Sequence, residues 1–116
     1  MRLVTRSTIA AVQVLVAQRF GLRVAELRAP GRQPALVRVR NAAIWLARAL
    51  SGASYPEIGQ RFGGMDHSSI MWACRRCQEQ LAADPVLRTT VLAIRDQIAM
   101  NLPDVVGVAR ALHLTF

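Results

Sequence analysis

The amino-acid sequence predicts an all-α protein, a compact helical bundle that contains a helix-turn-helix. Apolar residues recur at helical spacing along most of the chain, and no segment shows the alternation that is typical of a strand. Of the 116 residues, 53% are apolar but only 5% are aromatic, which suits helices packed through Ala, Val and Leu. This length is enough for one domain to bury a core without disulfides or a metal.

The first half of the chain predicts two longer helices with a short turn between them. The first helix covers residues 6–20, and a helical turn is expected at Val24–Arg28. Residues 29–37 hold two prolines and a glycine and are predicted as a loop, after which a helix runs from about Arg38 to Leu50. The inward positions of the two longer helices are Ile9, Val12, Val16, Phe20, Val39, Ala43, Leu46 and Leu50.

Residues 54–77 predict two more helices joined by a glycine turn, which is the arrangement of a helix-turn-helix. Ser54 is a capping residue, and Glu57 three positions later completes a capping box. The pair Gly63-Gly64 ends the first helix, because glycine adopts backbone angles that other residues avoid. Asp66 is placed to cap the second helix.

The second of these helices divides into an apolar and a polar face. The apolar stripe holds Ile70, Ala73, Cys74, Cys77 and Leu81. The opposite face holds His67, Ser68, Met71, Trp72, Arg75 and Arg76. Hydrogen-bonding side chains therefore concentrate at the start of the helix, where a recognition helix contacts base edges.

The C-terminal part predicts a final amphipathic helix that begins at Pro85 and extends to about residue 98. Residues after Pro103 are expected to form either another short helix or a tail. We therefore expect a DNA-binding domain over residues 1–102 and a separate terminal segment over residues 103–116.

The positive charge is unevenly distributed along the chain. The net charge is +8, and every basic side chain apart from the two histidines is an arginine. Residues 1–50 hold nine arginines and one acid, whereas residues 51–116 hold six of each. This asymmetry favours a polyanion as partner, with a solvated basic face as the alternative. No apolar run approaches a membrane span and no signal peptide is recognised, so we expect a cytoplasmic, nucleoid-associated protein without a membrane partner.

The sequence predicts neither catalysis nor a cofactor. Cys74 and Cys77 form a single C-x-x-C on the apolar stripe, which indicates buried, reduced thiols rather than a redox pair or a zinc site. Without lysine the chain has no P-loop, and no set of carboxylates or catalytic triad is spaced for catalysis. We therefore expect a protein that is not an enzyme and that holds no metal.

The helix-turn-helix also carries a family resemblance over about residues 8–98. Four runs resemble the C-terminal DNA-binding domain of bacterial DnaA, the replication initiator; the runs are Pro56-Glu57-Ile58-Gly59, Phe62-Gly63-Gly64, Asp66-His67-Ser68-Ser69 and Ala73-Cys74-Arg75-Arg76. The resemblance implies a Trp-repressor-like bundle, here as a stand-alone DnaA-like domain without the ATPase. The chain departs from the family at Met65 (usually arginine), Trp72 (usually histidine), and Ser68 and Ser69 (usually threonines).

The resemblance also implies which residues contact DNA. The major-groove residues are Asp66, His67, Ser68, Ser69 and Trp72, and the phosphate contacts are Arg38, Arg40, Asn41, Arg48, Pro56 and Arg76. Counting back from the Asp-His pair places Arg32 where the family inserts an arginine into the minor groove, and a guanidinium on a short loop fits such a groove. For Arg32 the alternative is an ordinary surface arginine, and for Trp72 it is a half-buried core aromatic.

The expected function is sequence-specific binding of double-stranded DNA, by a transcription regulator or an accessory DNA-binding factor. Two alternatives stay open at this point: a modulator of replication initiation that acts at initiator sites, and an interaction module that has lost DNA binding. The second alternative includes docking on replication or transcription proteins. The oligomeric state, the DNA sequence recognised and whether the chain is one domain of a longer product are left open.

Overall fold

The computed structural model describes the backbone of residues 2–29 and 31–111 and the side chains of residues 7–29 and 31–100. This part of the chain contains six helices and no strand, which confirms the predicted all-α class. The helices are α1 (Arg2–Phe20), α2 (Val24–Arg28), α3 (Pro34–Ser51), α4 (Tyr55–Arg61), α5 (His67–Ala83) and α6 (Pro85–Ala111).

Helix α3 lies at the centre of the bundle and contacts each of the other five helices. Its middle is built from small side chains, because Ala42, Ala43 and Ala47 are fully buried and allow neighbouring helices to approach closely. Around it, α1 packs on α3 and α6, and α5 packs on α3, α4 and α6. The helix-turn-helix of α4 and α5 therefore packs against the central helix of the bundle.

One continuous hydrophobic core joins these helices. Its largest fully buried apolar side chains are Ile9, Leu27, Ile44, Leu46, Ile58, Phe62 and Ile70. Ile58 and Phe62 come from α4 and its C-terminal end, whereas Ile70 comes from α5, so the two helices of the motif share the same core. Burying a side chain of this size contributes about 1.5–3 kcal/mol relative to leaving it exposed.

A buried glutamine connects three helices through polar contacts. Gln13 on α1 donates through Nε2 to the carbonyl oxygen of Arg61 at 2.7 Å. Its Oε1 accepts from the guanidinium of Arg28 at 3.1 Å. Because Arg28 ends α2 and Arg61 ends α4, Gln13 ties the C-terminal ends of both short helices to α1.

The predicted loop over residues 29–37 is wrong at its C-terminal end, since α3 begins at Pro34. Proline suits the first turn of a helix, because its fixed φ matches that turn and its missing N–H would have no partner there.

The terminal segment also differs from expectation. Helix α6 is continuous through Pro103 to Ala111 instead of ending before a separate helix. Residues 112–116 of the predicted tail lie outside the described residues, and the domain boundary at residue 102 stays a prediction.

Candidate nucleic-acid interface

Local sequence signals define the two helices of the motif as predicted. The hydroxyl of Ser54 accepts from the backbone N–H of Glu57 at 3.2 Å, and the Glu57 carboxylate lies 3.5 Å from the N–H of Ser54. This is the reciprocal capping box expected at the start of α4. At the other end Gly63 and Gly64 have φ values of +78° and +80°, which is the left-handed region that favours glycine.

A close backbone approach at Gly59 sets how α5 follows α4. The carbonyl oxygen of Gly59 accepts from the N–H groups of Gly64 at 3.0 Å and Met65 at 2.9 Å. A Cβ at residue 59 would overlap the carbonyl oxygen of Met65, and one at Gly63 would overlap that of Arg28. The turn therefore lies directly against α4 and the end of α2, which fixes the direction in which α5 leaves.

Helix α5 has the two faces that its sequence predicted. Ile70, Ala73, Cys77 and Leu81 are buried, and Cys74 at the edge of the stripe is half-buried. All of the predicted polar-face residues are exposed: His67, Ser68, Met71, Trp72, Arg75 and Arg76. Ser69, which was predicted to contact the major groove, is exposed as well. The side chain of Trp72 is 60% exposed, so it is not the half-buried core aromatic that was the alternative.

Asp66 caps α5 and still presents its carboxylate to solvent. Its Oδ2 accepts from the backbone N–H of Ser68 at 3.0 Å, and Oδ1 lies 3.5 Å from Nδ1 of His67. The Ser68 N–H is the main reason that the pKa of Asp66 lies below its ordinary value, and His67 acts in the same direction. The side chains of Asp66 and His67 are more than half exposed. An ionised acceptor therefore stands beside an imidazole at the start of the helix.

A groove of about 390 Å³ separates α3 from the polar start of α5. Its wall on α5 includes Ser68, Ser69 and Trp72, and its wall on α3 includes Asn41. Asn41 is 4% exposed, and its Nδ2 has no hydrogen-bond partner within the described residues. A buried amide donor without an acceptor is unfavourable, so this donor is suited to an acceptor brought by a ligand. The structure thus brings Asn41 together with three predicted major-groove residues.

Three of the predicted phosphate contacts, exposed Arg38 and Arg76 and half-buried Arg48, hold different local partners. Arg38 forms an ion pair with Asp84 at 3.0 Å, and Arg76 forms one with Glu79 at 3.0 Å. The guanidinium of Arg48 donates to the carbonyl oxygen of Ala53 and lies over the ring of Tyr55, 4.2 Å from its centroid. Such contacts leave donors available, because a guanidinium carries five N–H groups. Pro56, in the first turn of α4, and Arg32, before α3, are exposed.

Arg40, which was predicted to contact phosphate, is buried in the structure. It is only 6% exposed, and burial lowers the pKa of its guanidinium. Nε donates to the carbonyl oxygen of Leu27 at 3.1 Å, Nη1 to that of Gly31 at 3.0 Å, and Nη2 to that of Ala29. These three acceptors belong to the end of α2 and the loop before α3. Its three nitrogens therefore hold this loop, although the residue also lines the groove beside Trp72.

The cysteines are free thiols, with Cys77 buried and Cys74 half-buried. Burial raises the pKa of Cys77 to about 12 and also raises that of Cys74. Among the described residues no group of His, Cys, Asp or Glu is placed to hold a metal ion. Among the described residues, no helix is both long and apolar enough to span a membrane.

Residues 9–77 match the family model described as "Bacterial dnaA protein helix-turn-helix". This match runs from within α1 to within α5 and includes the turn at Gly63 and the polar start of α5. The chain belongs to this DnaA helix-turn-helix family. This match confirms the predicted resemblance, and it includes the four runs of residues on which the prediction was based.

Full-length relatives extend the match to most of the chain. The chromosomal replication initiator protein DnaA of Geobacter sulfurreducens is 46% identical over 88 residues, which is 76% of this chain and 20% of that protein. The DnaA protein of Caulobacter vibrioides is 42% identical over 82 residues, or 71% of this chain and 17% of its own length. The chain thus spans about a fifth of the length of these curated relatives.

Three features of the interface were not found from the sequence. The close contact at Gly59 is invisible in a helical pattern, because a glycine there reads as a weak helix residue. The unpaired Asn41 donor and the inward turn of Arg40 depend on tertiary packing. The one available signal for Arg40 was its position one residue after buried Val39 on a helix that other helices surround.

Proposed function

We propose that this chain binds double-stranded DNA in a sequence-specific manner through α4 and α5, without nucleotide or metal. The observation that carries the proposal is the exposed polar start of α5 on a DnaA-type helix-turn-helix. A helix of this type enters the major groove and contacts base edges with its N-terminal residues. The excess of basic over acidic side chains supports a polyanionic partner.

In the proposed complex the residues at the start of α5 carry the sequence readout. The Asp66 carboxylate accepts from the amino group of cytosine or adenine, and His67, Ser68 and Ser69 supply further hydrogen bonds. One turn further along, the flat face of Trp72 contacts thymine methyl groups or sugar. Because Asp66 is held by the helix that it caps, its acceptor oxygens approach the bases with a fixed direction.

The proposed phosphate contacts surround this reading helix. Arg38 and Arg76 exchange their carboxylate partners for phosphate oxygens at little cost, since exposed ion pairs of this kind contribute about 0–1 kcal/mol. Arg48 and the first turn of α4 at Pro56 contact the DNA backbone from the other end of the motif. The unpaired Nδ2 of Asn41 donates to a phosphate oxygen in the groove beside Trp72. Contacts of this kind set register and carry little sequence information.

Arg32 is proposed to enter the minor groove beside the major-groove site. Its side chain is exposed on the short loop before α3, far in the sequence from the residues at the start of α5. A guanidinium is favoured where the minor groove is narrow and strongly negative, as in A·T-rich DNA. One module would then read two neighbouring grooves.

The proposed sites are those of replication initiation, because the relatives described above are named replication initiators. The chain would act there as an accessory factor that shares or competes for initiator sites at the nucleoid. No feature of the described residues favours the other expected role, a transcription regulator. Catalysis forms no part of the proposed function.

Binding measured against salt tests the proposal. A preferred duplex is first selected from a random DNA pool and labelled, and its affinity is compared with that of a scrambled duplex from 50 to 300 mM salt. We expect preference for the selected duplex, and a logarithm of the affinity that falls by about 0.9 per neutralised phosphate for each tenfold rise in salt concentration. Arg38→Ala should weaken both duplexes equally, whereas His67→Ala should remove about 1–3 kcal/mol of preference. Weak, salt-insensitive binding to both duplexes would instead support an interaction module that has lost DNA binding.

A further inference from the structure

Arg40 has a buried guanidinium whose three nitrogens all donate to a neighbouring segment of backbone. Its three hydrogen bonds reach the carbonyl oxygens of Leu27, Ala29 and Gly31, which span the end of α2 and the following loop. A charge taken out of water is expensive unless hydrogen bonds replace its hydration. Here three backbone carbonyls do so, and none of the described carboxylates lies within ion-pair distance of Arg40.

The residue before Arg32 in this loop, Gly31, also lies against side chains of α3. A Cβ on Gly31 would be 2.9 Å from Cδ2 of Leu36 and 3.8 Å from Nη2 of Arg40. The backbone at Gly31 therefore lies against the end of the Leu36 side chain, within reach of the Arg40 guanidinium. Arg32 follows this contact immediately, so the hydrogen bond to Gly31 fixes the start of the peptide that presents the Arg32 side chain.

We propose that Arg40 is a positioning residue for minor-groove readout: it anchors the backbone at Leu27, Ala29 and Gly31 to α3 and so holds Arg32 in a fixed position relative to α5. This inference rests on the proposed function, in which Arg32 enters the minor groove. An unanchored loop would leave Arg32 able to reach DNA but would make the encounter costly, because the backbone would have to be ordered on binding.

Arginine is needed for this role because of its shape. The planar guanidinium directs Nε, Nη1 and Nη2 outward in one plane and here contacts three separate carbonyls. A lysine has the same charge but a single nitrogen at the end of a flexible stem. Arg40→Lys therefore keeps the electrostatic attraction to DNA and removes the three-point anchor.

The test measures two affinity ratios for each variant. The core ratio compares the selected duplex with one altered at the major-groove site, and the flank ratio compares A·T-rich with G·C-rich flanks around an unchanged core. For Arg40→Lys we expect the flank ratio to fall to that of Arg32→Ala while the core ratio stays within about twofold of wild type. The double variant Arg32→Ala/Arg40→Lys should show no further loss of flank ratio, because both changes remove the same contact.

A measurement without DNA tests the anchor separately. Trypsin cleaves after arginine in loops that open, so cleavage between Arg32 and Gln33 in the free protein reports release of the loop. We expect faster cleavage at this bond in Arg40→Lys than in wild type. Arg19→Lys is the matched control, because it makes the same substitution at an exposed arginine of α1 outside the proposed interface, and it should change neither the cleavage rate nor the flank ratio.

The possible results separate this inference from the proposed function. An Arg40→Lys protein with the wild-type flank ratio and loop protection would overturn it. A second result would also overturn it: Arg40→Lys keeps the wild-type flank ratio, while Arg40→Met binds all duplexes more weakly to the same extent. That pattern would mean that Arg40 binds phosphate through its charge. A wild-type protein that reads the core but ignores the flank would remove Arg32 and Arg40 from readout and leave the major-groove proposal intact. Loss of all duplex binding in the wild type would refute the proposed function itself.

Discussion

The guanidinium of Arg38 on α3 lies 3.0 Å from the carboxylate of Asp84, the residue between α5 and α6. The same carboxylate caps α6, since its Oδ1 accepts from the backbone N–H groups of Val86 and Leu87 at 3.1 Å. Asp84 therefore fixes a helix start and neutralises an arginine that is proposed to bind phosphate. These two roles are separable, because asparagine also caps helices but carries no charge.

Replacing Asp84 with asparagine should strengthen binding to all duplexes. The cap is kept while Arg38 is freed and one repulsive charge is removed, so affinity at low salt should rise several-fold and the salt dependence should steepen. Titration of a scrambled duplex at two salt concentrations measures this. Asp96→Asn is the control, because it makes the same change in net charge and frees Arg95 on α6 instead. Equal gains in both variants would mean that net charge alone is responsible.

A second prediction concerns Gly59 and the geometry of the motif. Replacing a helical glycine with alanine normally stabilises a protein by about 0.5–1 kcal/mol. Here the new Cβ would overlap the carbonyl oxygen of Met65, so Gly59→Ala should destabilise by about 1–3 kcal/mol and weaken specific binding. Urea unfolding and DNA titration measure the two effects. Gly64→Asn is the control, because its site has φ +80° and open space, which asparagine tolerates.

The sequence predicted the motif well because its signals are local. Capping residues, glycines and an apolar stripe at helical spacing lie within a few positions of one another, and they define α4, the turn and the faces of α5. The start of α3 was missed by four residues, since Pro34 occurs both in loops and at the first position of helices. Arg40 was misplaced for another reason: its orientation is set by a loop that contacts it nine to thirteen residues away in sequence.

A third prediction uses the lowered pKa of Asp66. A carboxyl with a lowered folded-state pKa stabilises the fold above its ordinary value of 3.8, and this contribution is lost as pH falls through the folded-state value. The difference in unfolding free energy between wild type and Asp66→Asn should be constant near neutral pH and should shrink below pH 3.8. Urea titrations over this range measure it. Ser68→Ala keeps the backbone N–H that is the main cause, so its pH dependence should resemble wild type.

A fourth prediction follows from the buried thiols. Because the pKa of Cys77 is about 12, almost none of it is thiolate at pH 8, and burial also excludes reagents. A chromogenic disulfide reagent should label Cys77 in the native protein more slowly than Cys74, and both at similar rates in urea. Mass spectrometry of labelled peptides resolves the two. Fast native labelling of Cys77, or a loss of DNA binding on chelation, would contradict the assignment of these cysteines as core thiols.

The last prediction concerns Trp72, whose exposed ring stands beside Ser68 and Ser69 at the groove between α3 and α5. If the ring contacts a thymine methyl, replacing that thymine with uracil removes one methyl and leaves the hydrogen-bonding edges unchanged. Burying one such group is worth about 0.8 kcal/mol, or roughly fourfold in affinity. A scan of uracil substitutions across the selected duplex should therefore find one position at which wild type loses about this much.

The same uracil substitution should cost nothing extra in Trp72→Ala, because the two changes remove one contact from opposite sides. Trp72→His, which restores the residue usual in the family, should keep duplex binding but shift the position or size of the uracil effect. Thermal unfolding of each variant serves as a control, since Trp72 lies outside the core and its replacement should leave stability nearly unchanged. An identical uracil profile in wild type and Trp72→Ala would place the ring away from the bases and leave the readout to Asp66, His67 and the two serines.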